Sequence, residues 1–95
     1  MCIIFMKHLH LKIHGNVQGV FFREKTRQVA QDLDLKGYVK NTADNCVEIV
    51  AEGEELALKK LLDWCKIGTE HSDVGKVEEE WSDEVGEFEE FKIEY

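Results

Sequence analysis

One arginine of this sequence stands where its charge needs an explanation. The stretch HGNVQGVFFRE, residues 14–24, places glycines at 15 and 19 and then Arg23, just as a helical period begins. A helix N-terminus already carries a partial positive charge, so Arg23 opposes the local field unless an anion binds there. Glycines allow consecutive N–H groups to point into one concavity, and a guanidinium matches two phosphate oxygens. The stretch is a candidate phosphate cradle, although a chain turn followed by a surface arginine fits the local pattern equally well.

The spacing of the two glycines excludes the common nucleotide-binding loops. A Walker A loop has four residues between its glycines and then Lys-Ser/Thr, whereas three residues separate Gly15 from Gly19. The pattern is not G-x-G-x-x-G either. The informative feature is the order of strand, glycine turn and helix start.

Three histidines share one face of the first predicted strand. His8, His10 and His14 fall on alternate positions, and alternate histidines can chelate a metal. No paired carboxylate or cysteine spacing accompanies them in the sequence. A surface histidine row is therefore favoured, and we predict no metal site.

Composition limits the classes of function. Ninety-five residues make one domain, 1–95, and 43% hydrophobic with 34% charged residues is typical of a globular protein. The net charge of −8 argues against general nucleic-acid or anionic-membrane binding. Three cysteines without C-x-x-C spacing indicate free thiols, and the apolar run from Cys2 to Met6 is too short to span a membrane. We expect a cytoplasmic monomer.

Hydrophobic periodicity predicts one strand and, after it in the sequence, two helices. Residues 8–14 alternate as a half-buried strand, with Leu9, Leu11 and Ile13 on the inner face. Residues 22–33 form a helix whose core face comprises Phe22, Thr26, Val29, Ala30 and Leu33. A second helix, from about 54 to 66, has the core residues Leu58, Leu61, Leu62 and Cys65 and ends at Gly68.

The remaining segments read as strands. GYVKNT (37–42) and VEIVAE (47–52) form a hairpin in whose turn Asn45 tolerates a left-handed backbone. KVEEEWSDE from Lys76 and FKIEY (91–95) are strand-like, with a turn at EVGEF between them. The order β-α-β-β-α-β plus a short final strand predicts a ferredoxin-like α+β sandwich, with two helices on one face of an antiparallel sheet.

Two segments resemble the signatures of the acylphosphatase family. GNVQGVFFR (15–23) is similar to the first signature and GYVKN (37–41) to the second. The likeness extends over about residues 7 to 95, through NTADNCVEIVAEG, LLDWCK, VEEEW and EFEEFKIEY. The first six residues lie outside it and receive no role.

The resemblance implies hydrolysis of the carboxyl–phosphate bond of small acyl phosphates, without a cofactor. It implies that Arg23 binds the phosphoryl oxygens and that Asn41 orients the attacking water. The implied phosphate-binding set is Gly15, Gln18, Gly19, Val20, Phe21, Phe22 and Arg23. From its local setting alone, Asn41 at a strand end is more often a backbone cap.

Two other classes remain as alternatives. A ferredoxin-like domain can be a non-catalytic binding module, but such a relative is expected to lose Arg23 or Asn41, and this sequence keeps both. An RNA-binding domain of the RRM type lacks support because the charge is acidic and the aromatic motif is missing.

Overall fold

Seven elements follow one another along the residues that the computed structural model describes, which are 6–18, 21–68, 73–83, 86 and 88–94. They are β1 (Met6–Asn16), α1 (Phe22–Asp32), β2 (Lys36–Asn41), β3 (Val47–Glu54), α2 (Glu55–Ile67), β4 (Asp73–Ser82) and β5 (Phe91–Ile93). The predicted order of strands and helices is confirmed.

The strands form a five-stranded sheet in the order β4-β1-β3-β2-β5. β1 pairs antiparallel with both β3 and β4, and β2 pairs antiparallel with β3. The short β5 instead runs parallel to β2, with Val39 opposite Ile93. The ferredoxin-like α+β architecture is confirmed, and the final strand makes its sheet mixed rather than wholly antiparallel.

Both helices pack into the same core on one face of the sheet. On β1, Leu9, Leu11 and Ile13 are fully buried, as their alternation predicts. The helices add to this core the buried residues Phe22, Thr26, Ala30, Leu58, Leu61, Leu62 and Cys65, with Val29 and Leu33 partly buried against it. Fully burying an aliphatic or aromatic side chain contributes about 1.5–3 kcal/mol, so these faces hold the helices on the sheet.

Glycine 15 lies at an irregularity of β1. The register between β1 and β4 shifts between His14 and Gly15. The φ of Gly15 is 126°, and a Cβ there would lie 2.1 Å from the carbonyl oxygen of Asp73. Only glycine fits this backbone and this close approach. The bulge directs the chain from β1 into the loop that precedes α1.

Several residues named in the sequence analysis lie outside the part of the chain that the structure describes. Gly19 and Val20, Cys2, Tyr95 and three residues of the EVGEF turn (84, 85 and 87) lie outside the described residues. Asn45 does have the predicted left-handed backbone, with φ 64°. No helix within the described ranges is long and apolar enough to cross a membrane.

Candidate active site

A cavity of about 270 Å³ opens between the start of α1 and the ends of β2 and β5. Its lining comprises Val17, Phe21, Phe22, Arg23, Glu24, Asn41 and Ile93. The cavity brings Arg23 and Asn41 together, although they are 18 positions apart in the sequence. The lining combines apolar side chains with the guanidinium of Arg23, the carboxylate of Glu24 and the carboxamide of Asn41.

The start of α1 is shaped by Phe21. This residue occupies the N-cap position with φ 59° and ψ 19°, a left-handed conformation, and makes no side-chain capping hydrogen bond. Its carbonyl accepts the N–H of Lys25 at 3.1 Å, which closes the first helical turn. A non-glycine residue in this region of the backbone is strained, and such strain concentrates at functional sites. The uncapped first turn lies at the cavity.

The residue after Arg23 brings a negative charge to the cavity. Glu24 is ion-paired with Arg27, one helical turn further along α1. The hydrogen bond from Arg27 lowers the pKa of Glu24 below its usual value, so this carboxylate is ionised at neutral pH. The cavity therefore contains both an acidic and a basic side chain from consecutive positions.

Asn41 is the last residue of β2 and pairs with Val47 across the hairpin. Its Oδ1 is buried and has no hydrogen-bond partner among the described residues. Buried polar atoms are nearly always hydrogen-bonded, so an orphaned carboxamide oxygen calls for a reason. Asn41 lines the same cavity as Arg23, so the oxygen that lacks a partner belongs to a residue of the cavity wall.

Gln18 links the loop after β1 to the hairpin turn. Its Nε2 donates to the carbonyl of Thr42 at 3.0 Å and to that of Cys46 at 2.8 Å. Within the turn, the N–H of Cys46 donates to Thr42 Oγ1 at 3.2 Å, and Lys12 forms an ion pair of 2.6 Å with Asp44. The loop and the strand end that carries Asn41 are therefore joined by side-chain hydrogen bonds.

The sequence-predicted residues occupy different places around the cavity. Phe21, Phe22, Arg23 and Asn41 line it. Gln18 lies beside it against the turn, and the close backbone approach at Asp73 accounts for the glycine at position 15. Val17, Glu24 and Ile93 were not singled out in the sequence. Val17 lies within the first signature and Glu24 directly follows it. No local pattern marks Ile93, which reaches the cavity because β5 pairs in parallel with β2.

The histidine row lies on the sheet face opposite the helices. His8 pairs with Glu52 at 3.0 Å, His10 with Glu48 at 3.2 Å and His14 with Glu78 at 2.6 Å. Local spacing gave no sign of these carboxylates, because they come from β3 and β4. Within the described part of the chain, no group of three or more histidine, cysteine, aspartate or glutamate side chains is arranged to hold a metal ion.

Comparison with known proteins assigns this chain to a family. The sequence model of the acylphosphatase family matches residues 9–93. An acylphosphatase of Pelotomaculum thermopropionicum is 43% identical over 84 residues, which are 88% of this chain and 91% of that protein. One of Pyrobaculum aerophilum is 43% identical over 89 residues, 93% of this chain and 94% of that protein.

A solved structure agrees with the sequence matches. The crystal structure of acylphosphatase from Bacillus subtilis superimposes with a TM-score of 0.91 at 35% identity, covering 94% of this chain and 99% of that one. The chain belongs to the acylphosphatase family and is a hydrolase of that family. Its substrate is a small molecule, and the resemblance stated from the two signatures is confirmed.

Proposed function

We propose that this protein hydrolyses the carboxyl–phosphate bond of small acyl phosphates at the cavity between α1 and β2. The products are a carboxylate and inorganic phosphate. The observation that carries the proposal is the meeting of Arg23 with a buried, unpartnered Asn41 Oδ1 in one cavity. A phosphoryl group and a water molecule are the two reactants that these side chains suit.

Arg23 binds the phosphoryl oxygens. Its planar guanidinium donates two parallel hydrogen bonds to an anionic group, and the uncapped first turn of α1 adds backbone N–H donors. The loop donors are the N–H groups between Gln18 and Phe22, and Gly15 shapes the approach to them. In a loose phosphoryl-transfer transition state, such preformed positive charge supplies most of the stabilisation.

Asn41 holds the attacking water. Its Oδ1 accepts one hydrogen bond from the water, which fixes an oxygen lone pair towards phosphorus without removing a proton. The water oxygen forms the new bond to phosphorus as the bond to the carboxylate oxygen breaks, and the proton passes to a substrate oxygen. The leaving carboxylate has a parent-acid pKa of about 4, so it departs without a strong general acid.

The apolar residues of the cavity lining suit the acyl group. Phe21 is 77% exposed, and Ile93 and Val17 also line the cavity. An acyl chain placed there covers apolar surface while its phosphoryl end faces Arg23. The neighbouring Glu24 carboxylate disfavours acyl groups that carry a further negative charge.

Benzoyl phosphate hydrolysis in the presence of EDTA tests the proposal. We expect turnover by the wild type, a loss of about 10²–10³-fold or more in kcat for Arg23→Ala, and a similar loss for Asn41→Ala. Arg27→Ala is the matched control, since it removes the same side chain one turn along α1 and should retain kcat within a few-fold. Circular dichroism verifies that each variant is folded.

The outcomes separate the roles. A loss confined to Arg23→Ala would keep the phosphate site and contradict the water-orienting role of Asn41. Absence of turnover by folded wild type, together with binding of inorganic phosphate, would indicate a binding module instead.

A further inference from the structure

Both amide hydrogens of the Gln18 side chain are engaged in hydrogen bonds within the protein. A carboxamide nitrogen carries two hydrogens, and Gln18 Nε2 contacts two carbonyl oxygens, those of Thr42 and Cys46, at 3.0 and 2.8 Å. The side chain is therefore committed to backbone acceptors and is not a donor to substrate. The role of this side chain therefore follows from the two segments that it connects.

The two acceptors are the ends of the β2–β3 turn. Thr42 directly follows Asn41, and its N–H donates to the carbonyl of Cys46 at 2.9 Å, which closes the turn. Gln18 is half-buried above this closure and belongs to the loop that leads to Arg23. One side chain thus connects the segment that leads to the arginine with the segment that carries the carboxamide.

We propose that Gln18 is a positioning residue that fixes the phosphate-binding loop against the β2–β3 turn, and so sets the alignment of the phosphoryl group with the water held by Asn41. This inference rests on the proposed function. Alignment of reactants matters steeply, because a displacement of about 1 Å can reduce the rate by about 10²-fold. Arg23 and the loop N–H groups belong to one side of the link, and Asn41 belongs to the other.

This division predicts an unequal effect on binding and on rate. Gln18→Met keeps the length of the side chain and removes both hydrogen bonds. We expect kcat for benzoyl phosphate to fall by about 10- to 100-fold. The inhibition constant of inorganic phosphate should change by less than about threefold, because Arg23 remains anchored through the buried Phe22 while the turn after Asn41 is released.

Gln31→Met is the matched control. Gln31 also donates from its Nε2 to a backbone carbonyl, that of Phe91 at 3.2 Å, but it lies at the other end of α1. The same substitution there removes this bond, and the bond that Gln31 Oε1 accepts from Arg27 at 3.4 Å, without touching the loop or the turn. We expect its kcat to remain within about twofold of the wild type. Its free energy of unfolding should fall, as that of Gln18→Met does.

A double-mutant cycle separates positioning from general structure. In the Asn41→Ala background, Gln18→Met should lower kcat by less than about twofold, because the group that Gln18 aligns is gone. A multiplicative loss in the double variant, or equal effects of Gln18→Met and Gln31→Met, would overturn the inference while leaving the roles of Arg23 and Asn41 intact. Absence of wild-type turnover would instead reject the proposed function.

Gln18→Glu provides a second test should Gln18→Met fold poorly. An ionised carboxylate has no donor to offer the two carbonyls, whereas its protonated form has one. The kcat of Gln18→Glu relative to the wild type should therefore be low at about pH 7 and rise as the pH falls towards about 5. A ratio that is the same at both pH values would contradict the link.

Discussion

The ring centroid of Phe22 lies 5.2 Å from that of Trp64, with the ring planes tilted by 42°. Phe22 is 1% exposed and joins the first residue of α1 to α2. The side chain that precedes Arg23 is thus anchored in the core, while the phenylalanine before it, Phe21, is largely exposed. A rigid core residue thereby presents the arginine to the cavity.

The two adjacent phenylalanines should respond very differently to truncation. Phe22→Ala removes a fully buried ring and should lower the free energy of unfolding by about 3–5 kcal/mol. Phe21→Ala removes an exposed ring and should change it by about 0.5 kcal/mol or less. Urea unfolding followed by far-UV circular dichroism measures both. Similar costs for the two variants would mean that the ring of Phe22 is not the anchor of α1.

The left-handed backbone at position 21 predicts that glycine is the better small residue there. Alanine keeps the strain of about 1–2 kcal/mol, whereas glycine relieves it and adds about 0.4–1 kcal/mol of unfolded-chain entropy. Phe21→Gly should therefore be more stable than Phe21→Ala by about 0.5–1 kcal/mol. Urea midpoints of the two variants decide the matter, and a more stable alanine variant would show that the helix start relaxes out of this conformation.

Neutralising Glu24 should strengthen anion binding. Glu24→Gln removes a negative charge from the cavity lining, so the inhibition constant of inorganic phosphate should fall by roughly twofold at low ionic strength. The gain should largely vanish at about 1 M salt, where exposed charges are screened. Glu55→Gln, the same change in the first turn of α2, serves as control. A salt-independent gain would point to altered shape rather than charge.

Tyr38 and Glu48 should contribute a pH-dependent part of the stability. The Tyr38 hydroxyl donates to Glu48 Oε1 at 2.8 Å. Burial acts to raise the pKa of Glu48, but hydrogen bonds from Tyr38 and His10 outweigh it and leave the pKa below its usual value. A lowered pKa in the folded state means stability that is present above the unfolded-state pKa of about 4.3 and lost as the pH falls further.

Tyr38→Phe isolates that hydrogen bond, because the ring contact with Phe88 at 5.9 Å is retained. We expect the free energy of unfolding to fall by about 1–2 kcal/mol at pH 7, since the pair is only partly buried. The difference from the wild type should shrink below about pH 4, as Glu48 becomes protonated in both proteins. Urea unfolding at the two pH values provides the comparison. A difference that is constant with pH would exclude the ionised carboxylate as the partner.

Local periodicity predicted the parts of the fold whose side chains alternate between core and solvent. The buried face of α2 is the clearest case, since Leu58, Leu61, Leu62 and Cys65 are all buried as expected. The ends of the strands were predicted less accurately. β1 extends to Asn16 and β4 begins at Asp73, where glycines at 15 and 75 interrupt the alternation and only the pairing of the two strands defines them as strand.

The sequence predicted only those residues of the cavity that lie within the two signatures. Phe21, Phe22 and Arg23 are consecutive, and the second signature supplied Asn41. Ile93 reaches the cavity through pairing between β5 and β2, and the Gln18 bonds join residues 24 and 28 positions apart. No local pattern carries such information, because it arises when distant segments meet in the folded chain.

The interior position of β1, between β4 and β3, also governs how the chain folds. Leu9 is paired with both Ala51 and Trp81, so the middle of the sheet forms only after long loops have closed. Native contacts between remote segments slow folding, and a chain without proline has no X-Pro isomerisation to add a slower phase. The cavity is assembled from β2, β5 and the start of α1, which acquire their places within that same sheet. Hydrolytic activity should therefore return in the phase in which tryptophan fluorescence reports the refolded core, with no inactive compact species outlasting it.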